Sequence, residues 1–139
     1  MRPGGVVGVK EFDHGGDLIH PYDPPLQKFY ALYRRLRKEN GHEPDGGRKI
    51  GVFLIDAGFR EVQMSACYES LAVRGVARAF IGVLSEQWGD AFRSCGWATP
   101  ETIEEMAESW RRFARTPGAF YAGAWCEALA RKSREGESS

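Results

Sequence analysis

The chain has 139 residues, of which 42% are hydrophobic, so it is long enough for one domain with a single hydrophobic core. Its 19 Lys and Arg residues balance 19 Asp and Glu residues, and a net charge of zero argues against a nucleic-acid partner or an anionic membrane surface. No apolar run is long enough to span a membrane, and no signal peptide precedes the first predicted strand. Three widely spaced cysteines, Cys67, Cys95 and Cys126, predict buried free thiols in a reducing cytoplasm and no zinc site.

A short strand is predicted over residues 6–9, directly after the turn Arg2-Pro3-Gly4-Gly5. Its residues are uniformly apolar, which is typical of a strand covered on both faces. We therefore expect the chain to start in the middle of a fold, with part of that fold encoded upstream. A loop rich in Asp, His and Gly follows over residues 11–22. A helix is then predicted from Asp23, its N-cap, to the stop signal Asn40-Gly41.

The second half of the chain predicts more helices and two further strands. A short helix covers residues 48–57, and residues 61–68 alternate between apolar and polar, which indicates a half-buried strand at a sheet edge. Helical spacing resumes at Leu71 and again after Thr99-Pro100. Residues 119–129 are apolar on both faces, so we expect this last strand to lie between the other two.

Three segments of the sequence resemble one enzyme family. Residues 2–9, 55–62 and 119–128 look like the C-terminal half of a class I S-adenosylmethionine-dependent methyltransferase. The resemblance rests on the Arg-Pro-Gly-Gly turn before the first strand and on Ala57-Gly58-Phe59 before the second. It implies an α/β fold, the C-terminal portion of a Rossmann-like methyltransferase, with a three-stranded sheet in the order first-third-second and the last strand antiparallel. Residues 1–131 would form this partial domain, residues 71–116 a helical lid insertion, and residues 132–139 a disordered tail.

The resemblance implies a function for this half of the fold. The family binds S-adenosylmethionine at a Gly-rich loop after its first strand, and neither Gly15-Gly16 nor Gly46-Gly47 has that spacing or position. We therefore expect the acceptor-binding half of a small-molecule methyltransferase, inactive and without cofactor on its own. A complementary chain or a second copy would pair with the edge strand at Val6. The alternative is a stand-alone, non-catalytic small-molecule-binding or dimerisation protein derived from the same fold.

The candidate acceptor site is the loop at residues 11–22, because ligands of doubly wound sheets bind beyond the carboxyl ends of strands. His14 or Asp13 would act as a base only if the acceptor must lose a proton; otherwise the loop residues serve turn geometry. A metal site built from His14, Asp17 and His20 is not expected. The aromatic residues either line an apolar pocket under the lid or form ordinary core. Catalytic residues stay unassigned, and the residues expected to contact the acceptor are Asp13, His14, His20, Tyr22, Tyr68 and Trp125.

Overall fold

The computed structural model describes residues 2–134 and divides them into two compact units. Unit 1 comprises residues 2–17, 44–69 and 123–134, and unit 2 comprises residues 18–43 and 70–122. In chain order the described strands and α-helices are β1 Val6–Phe12, β2 Leu18–His20, α1 Pro24–Glu39, α2 Ile50–Asp56, β3 Phe59–Ser70, α3 Val73–Val83, α4 Gly89–Ser94, α5 Pro100–Arg115 and β4 Phe120–Lys132.

The sheet pairings confirm the predicted position of the last strand. β1 pairs antiparallel with β4, with Val6 opposite Arg131 and Phe12 opposite Trp125, and β3 also pairs with β4. β4 therefore lies between the first and third strands. The prediction of three strands is wrong, because β2 pairs antiparallel with residues 120–122 of β4 inside the segment predicted to be a loop. The predicted tail is also corrected at its start, since Lys132 belongs to β4; residues 135–139 lie outside the described residues.

One face of the unit 1 sheet is open, which corrects the prediction for the first strand. Strand residues alternate between faces, and here Val7 is half-buried whereas its neighbour Val6 is exposed. Helix α2 contacts the covered face at Gly51, where a Cβ would lie 3.1 Å from Met64 Sδ. Val6 and Leu129 stand on the other face, both more than half exposed. The apolar run at residues 6–9 thus forms a strand that is covered on one face only.

Unit 2 is built around a helical core. Phe29 of α1, Phe92 of α4, and Met106 and Trp110 of α5 are fully buried in it. The predicted N-cap Asp23 is confirmed, since Asp23 Oδ1 accepts from Leu26 N at 3.1 Å. Helix α5 begins after Thr99-Pro100 as predicted, and Thr99 Oγ1 accepts from Thr102 N at 3.2 Å. Residues 71–116 are mostly helical, as predicted, and pack against α1 in one core. Their role as a lid over an acceptor stays a prediction.

Two smaller expectations are settled by the fold. No helix within residues 2–134 combines the length and the hydrophobicity needed to cross a membrane. The cysteines are free thiols, but the prediction that they are buried is wrong for Cys67 and Cys95, which are exposed. Cys67 lies on β3, where most residues are exposed, and Cys95 caps the carboxyl end of α4.

Candidate functional site

The end of β1 in unit 1 is anchored by a buried carboxylate. Asp13 is 3% exposed, and its side chain accepts hydrogen bonds from Arg48 N at 2.9 Å, Arg48 Nε at 2.7 Å and Arg48 Nη2 at 2.5 Å. These hydrogen bonds with the Arg48 guanidinium hold the pKa of Asp13 below its usual value. The carboxylate is therefore occupied in tying the turn before α2 to the end of β1. Its expected contact with an acceptor stays a prediction.

His14 follows Asp13 and lies beside a second buried carboxylate. Its Nδ1 is 3.4 Å from Asp17 Oδ2, and Asp17 Oδ1 accepts from Ala124 N at 2.8 Å. The Asp17 side chain is almost completely buried, whereas the His14 ring is partly accessible. A carboxylate that is fixed by the backbone and faces one nitrogen of an imidazole orients the ring and selects its tautomer. His14 and Asp17 thus have the arrangement of a positioned proton acceptor.

Aromatic rings continue the site along the open face of the sheet. The Phe12 ring lies 3.6 Å from the Trp125 ring between centroids, and the His14 ring stacks on Phe12 at 5.4 Å. Lys10 Nζ lies 4.7 Å from the centroid of Trp125, a cation–π contact. Trp125 Nε1 donates to Glu69 Oε2 at 3.1 Å. The result is a stack of aromatic rings with the Lys10 ammonium at its Trp125 end, which suits contact with a planar small molecule.

Tyr68 belongs to the other face of the same sheet. Glu69 contacts Trp125 on the open face, so alternation along β3 places Tyr68 on the covered face. There the Tyr68 hydroxyl donates to Gly16 O at 3.0 Å. The structure therefore brings His14 and Trp125 to one stack of rings but separates Tyr68 from them.

The remaining two predicted residues lie in unit 2. His20 stands at the end of β2 opposite Phe120 and is exposed. Tyr22 is also exposed, and its ring meets the edge of Tyr30 at 6.1 Å. Their expected contact with an acceptor stays a prediction. Among residues 2–134, no group of three or more His, Cys, Asp or Glu side chains is placed to hold a metal ion.

The pairs Gly15-Gly16 and Gly46-Gly47 are the places where a Gly-rich loop for S-adenosylmethionine could be looked for in this chain. A Cβ on Gly16 would lie 3.1 Å from Ala124 Cβ, and one on Gly47 would lie 2.9 Å from both Asp13 Cβ and Phe12 O. These glycines allow close packing of the protein against itself rather than forming a cradle for a ligand. The Gly15 amide is already bonded to Asp45 Oδ1 at 3.0 Å. Gly16 and Gly47 therefore do not form the Gly-rich cofactor loop of the family that the sequence resembles.

Unit 2 contains an apolar groove of its own. It measures about 310 Å³ and is lined by Phe80 of α3, Tyr121 of β4 and five smaller apolar residues, Leu71, Ala72, Gly75, Val76 and Ala79. The Tyr30 hydroxyl donates to the Tyr121 hydroxyl at 3.3 Å and fixes that ring. Four of the other aromatic residues in this unit, Phe29, Phe92, Trp110 and Phe113, are fully buried and form ordinary core.

Three residues of the site were not predicted from the sequence. Arg48 was not predicted because its partner Asp13 is distant in sequence and the basic residue stands in an ordinary polar stretch. Phe12 and Lys10 were not predicted either, although pairing the first strand with the last and counting alternate residues places both beside Trp125.

Comparison with known proteins gives only distant structural similarity. No family model matches the sequence, and no curated protein matches it. Among solved structures, the chain is similar to Haemonchus contortus phospholethanolamine N-methyltransferase 2 in complex with phosphomonomethylethanolamine and S-adenosylhomocysteine, with a TM-score of 0.35 and 11% identity. The match covers 96% of this chain and 28% of that protein, so the chain spans little more than a quarter of the length of this neighbour.

Proposed function

We propose that this chain is the acceptor-binding half of an S-adenosylmethionine-dependent small-molecule methyltransferase, with the cofactor held by another polypeptide segment. The observation that carries the proposal is the position of β4, between β1 and β3 and antiparallel to β1. This arrangement agrees with the C-terminal portion of the Rossmann-like methyltransferase fold. Gly4 and Gly58, in the turns before β1 and β3, both have positive φ angles, which supports tight turns at these two positions.

In this proposal the acceptor lies against His14 and the stack of rings formed by Phe12 and Trp125. Methyl transfer is an in-line displacement, so the protein contributes mainly alignment of the acceptor and exclusion of water. The stacked rings supply an apolar surface for that alignment. His14, oriented by Asp17, accepts a proton when the acceptor atom carries one. Asp13 is not the base, because its carboxylate is bound to Arg48.

The partner that carries the cofactor has a surface to bind in unit 1. Helix α2 exposes Val52, Phe53 and Ile55 to more than half of their area. Apolar side chains concentrated in this way mark an interaction surface. A second copy of the chain would use the same residues, and this is the alternative of a dimerisation protein. Light scattering distinguishes the two, because a homodimer doubles the mass of the isolated chain at micromolar concentration.

The experiment for acceptor binding is an NMR titration of the ¹⁵N-labelled full chain. Catechol and histamine serve as oxygen and nitrogen acceptor probes, and S-adenosylhomocysteine serves as the cofactor probe. We expect an acceptor probe to shift the amide signals of residues 13–17 and the indole signal of Trp125, and we expect S-adenosylhomocysteine to shift none. His14→Gln should weaken probe binding about fivefold, which corresponds to the loss of one hydrogen bond.

His42→Gln is the matched control, because His42 is an exposed histidine in the connector after α1. It should bind the probes as the wild type does. Saturable shifts at Gly15 and Gly16 with S-adenosylhomocysteine would place a cofactor site on this chain and contradict the division into halves. The assigned acceptor site would be contradicted if neither acceptor probe shifted the amide signals of residues 13–17, or if His14→Gln bound the probes as tightly as the wild type.

A further inference from the structure

The apolar groove of unit 2 follows the first half of helix α3. Its volume of about 310 Å³ is at the lower end of the range for small-ligand sites. Its lining is apolar apart from the hydroxyl of Tyr121, and all of its residues belong to unit 2. Residues 72–80 rise about 12 Å along the helix axis, so the groove is elongated. Tyr121 stands at the start of β4, at the opposite end of that strand from the last described residues.

The groove is open at its floor and has fixed walls. Gly75 has no side chain, and a Cβ built there would meet no atom within 4 Å. The ring of Phe80 stacks on the buried Trp110 at 4.9 Å between centroids. The ring of Tyr121 is 5% exposed and its hydroxyl accepts from the Tyr30 hydroxyl. Because these rings are held by the core, the groove needs no rearrangement to receive a ligand.

Two exposed arginines of α3 border this groove. Arg78 lies one helical turn after Gly75 of the groove, and Arg74 lies one turn before Arg78, so the two cations follow the same rim. Within residues 2–134, neither side chain forms an ion pair or a hydrogen bond. Helix α3 itself carries these two arginines and no acidic residue. The rim of the groove is therefore positively charged, although the chain as a whole has no net charge.

The placement of these two arginines is unfavourable for α3 on its own. Like charges four residues apart on a helix repel each other, and Arg74 stands in the first turn, where the helix dipole disfavours a cation. Helix α5 differs in this respect, since its Arg111 and Arg115 are both paired with Glu108. An anion held at the rim of the groove would neutralise charges that α3 leaves uncompensated.

We propose that the apolar groove of unit 2 binds a small aliphatic carboxylate, of the class of medium-chain fatty acids. Its hydrocarbon chain lies in the groove, where burial of the methylene groups supplies most of the affinity. Its carboxylate lies at the rim formed by Arg74 and Arg78, since a guanidinium binds a carboxylate through two parallel hydrogen bonds. The charged rim thus determines which end of the ligand lies where. The site is separate from the acceptor site and does not rest on the proposed methyltransferase function.

The test is an NMR titration of the ¹⁵N-labelled full chain with octanoate, and with 1-octanol as an uncharged ligand of the same chain length. We expect both ligands to give saturable shifts of the amide signals of residues 71–80, with about fivefold tighter binding of octanoate. Arg78→Gln should weaken octanoate binding about threefold and leave 1-octanol binding unchanged. Gly75→Leu should weaken binding of both ligands about tenfold, because the added side chain takes the place of buried methylene groups.

Gly82→Leu is the matched control, because Gly82 lies on the same helix, also has open space around an added Cβ and does not line the groove. It should bind both ligands as the wild type does, and circular dichroism checks that each variant keeps its helices. Equal weakening by Gly82→Leu, equal affinity of the wild type for octanoate and 1-octanol, or the absence of saturable shifts at residues 71–80 would overturn the proposal. Shifts produced by phosphatidylglycerol vesicles but not by octanoate would assign the groove to a membrane surface and would overturn it as well.

Discussion

The pair formed by Asp13 and Arg48 is expected to contribute more to stability than any exposed ion pair of this chain. Asp13→Asn keeps the shape of the side chain but replaces one carboxylate oxygen with an amide that repels the guanidinium. Breaking a hydrogen-bonded buried pair costs about 3–5 kcal/mol. Here the Arg48 side chain is 54% exposed, so water compensates part of the loss. We therefore expect Asp13→Asn to lower the free energy of unfolding by about 2 kcal/mol.

A double-mutant cycle isolates the interaction from other effects of the substitutions. Urea unfolding is measured for Asp13→Asn, Arg48→Gln, the double variant and the wild type, and the expected coupling energy is about 1.5 kcal/mol. Asp90 and Arg93 form the control pair, because they are also an aspartate–arginine contact but are exposed on α4. Their coupling should stay below about 0.5 kcal/mol. A coupling at Asp13 no larger than at Asp90 would refute the reasoning from burial.

Three further predictions follow from other described contacts. Because the Arg48 hydrogen bonds lower the pKa of Asp13, the unfolded chain binds more protons than the folded one below the ordinary aspartate pKa of about 3.9. The stability from this pair is thus present above that pH and is lost as the pH falls through the lowered pKa. Urea unfolding between pH 2 and pH 7 should therefore show a smaller decrease in the free energy of unfolding at acid pH for Asp13→Asn than for the wild type. Gly47→Ala should destabilise the fold by about 1–3 kcal/mol, because its Cβ would lie 2.9 Å from Phe12 O. Gly82→Ala in α3 has open space around the added methyl group and should stabilise the fold by about 0.5–1 kcal/mol. Urea midpoints of the two variants that shift in the same direction would contradict this prediction. Burial raises the pKa of the Cys126 thiol, so iodoacetamide at pH 8, followed by mass spectrometry, should label Cys126 more slowly than the exposed Cys95, and equal rates would count against the burial.

Local signals in the sequence predicted the helices well. Asp23 with Pro24-Pro25 and Thr99 with Pro100 each gave the first turn of a helix, because capping depends on residues that are adjacent in the chain. The central place of β4 could also be predicted, since apolar residues on both faces are typical of a strand in the middle of a sheet.

Features that depend on distant residues could not be predicted in the same way. β2 is only three residues long and exists because β4 pairs with it, so nothing in residues 18–20 alone distinguishes it from a loop. The exposed face of β1 was missed because four apolar residues do not reveal whether a helix covers one side or both. Arg48 was missed for the same reason, as its partner Asp13 lies 35 residues away in the sequence.

The shared strand β4 has a consequence for how the chain folds. It supplies partners for β1 and β3 in unit 1 and for β2 in unit 2, yet it follows all of those strands in the sequence. During synthesis the earlier strands therefore emerge without the strand that completes their hydrogen bonds. The pairing of Val6 with Arg131 also closes nearly the whole described chain into one loop, and contacts this distant slow folding. We expect helices α1 to α5 to form early and the sheet to form last. Stopped-flow refolding that regained the sheet as fast as the helices would contradict that order.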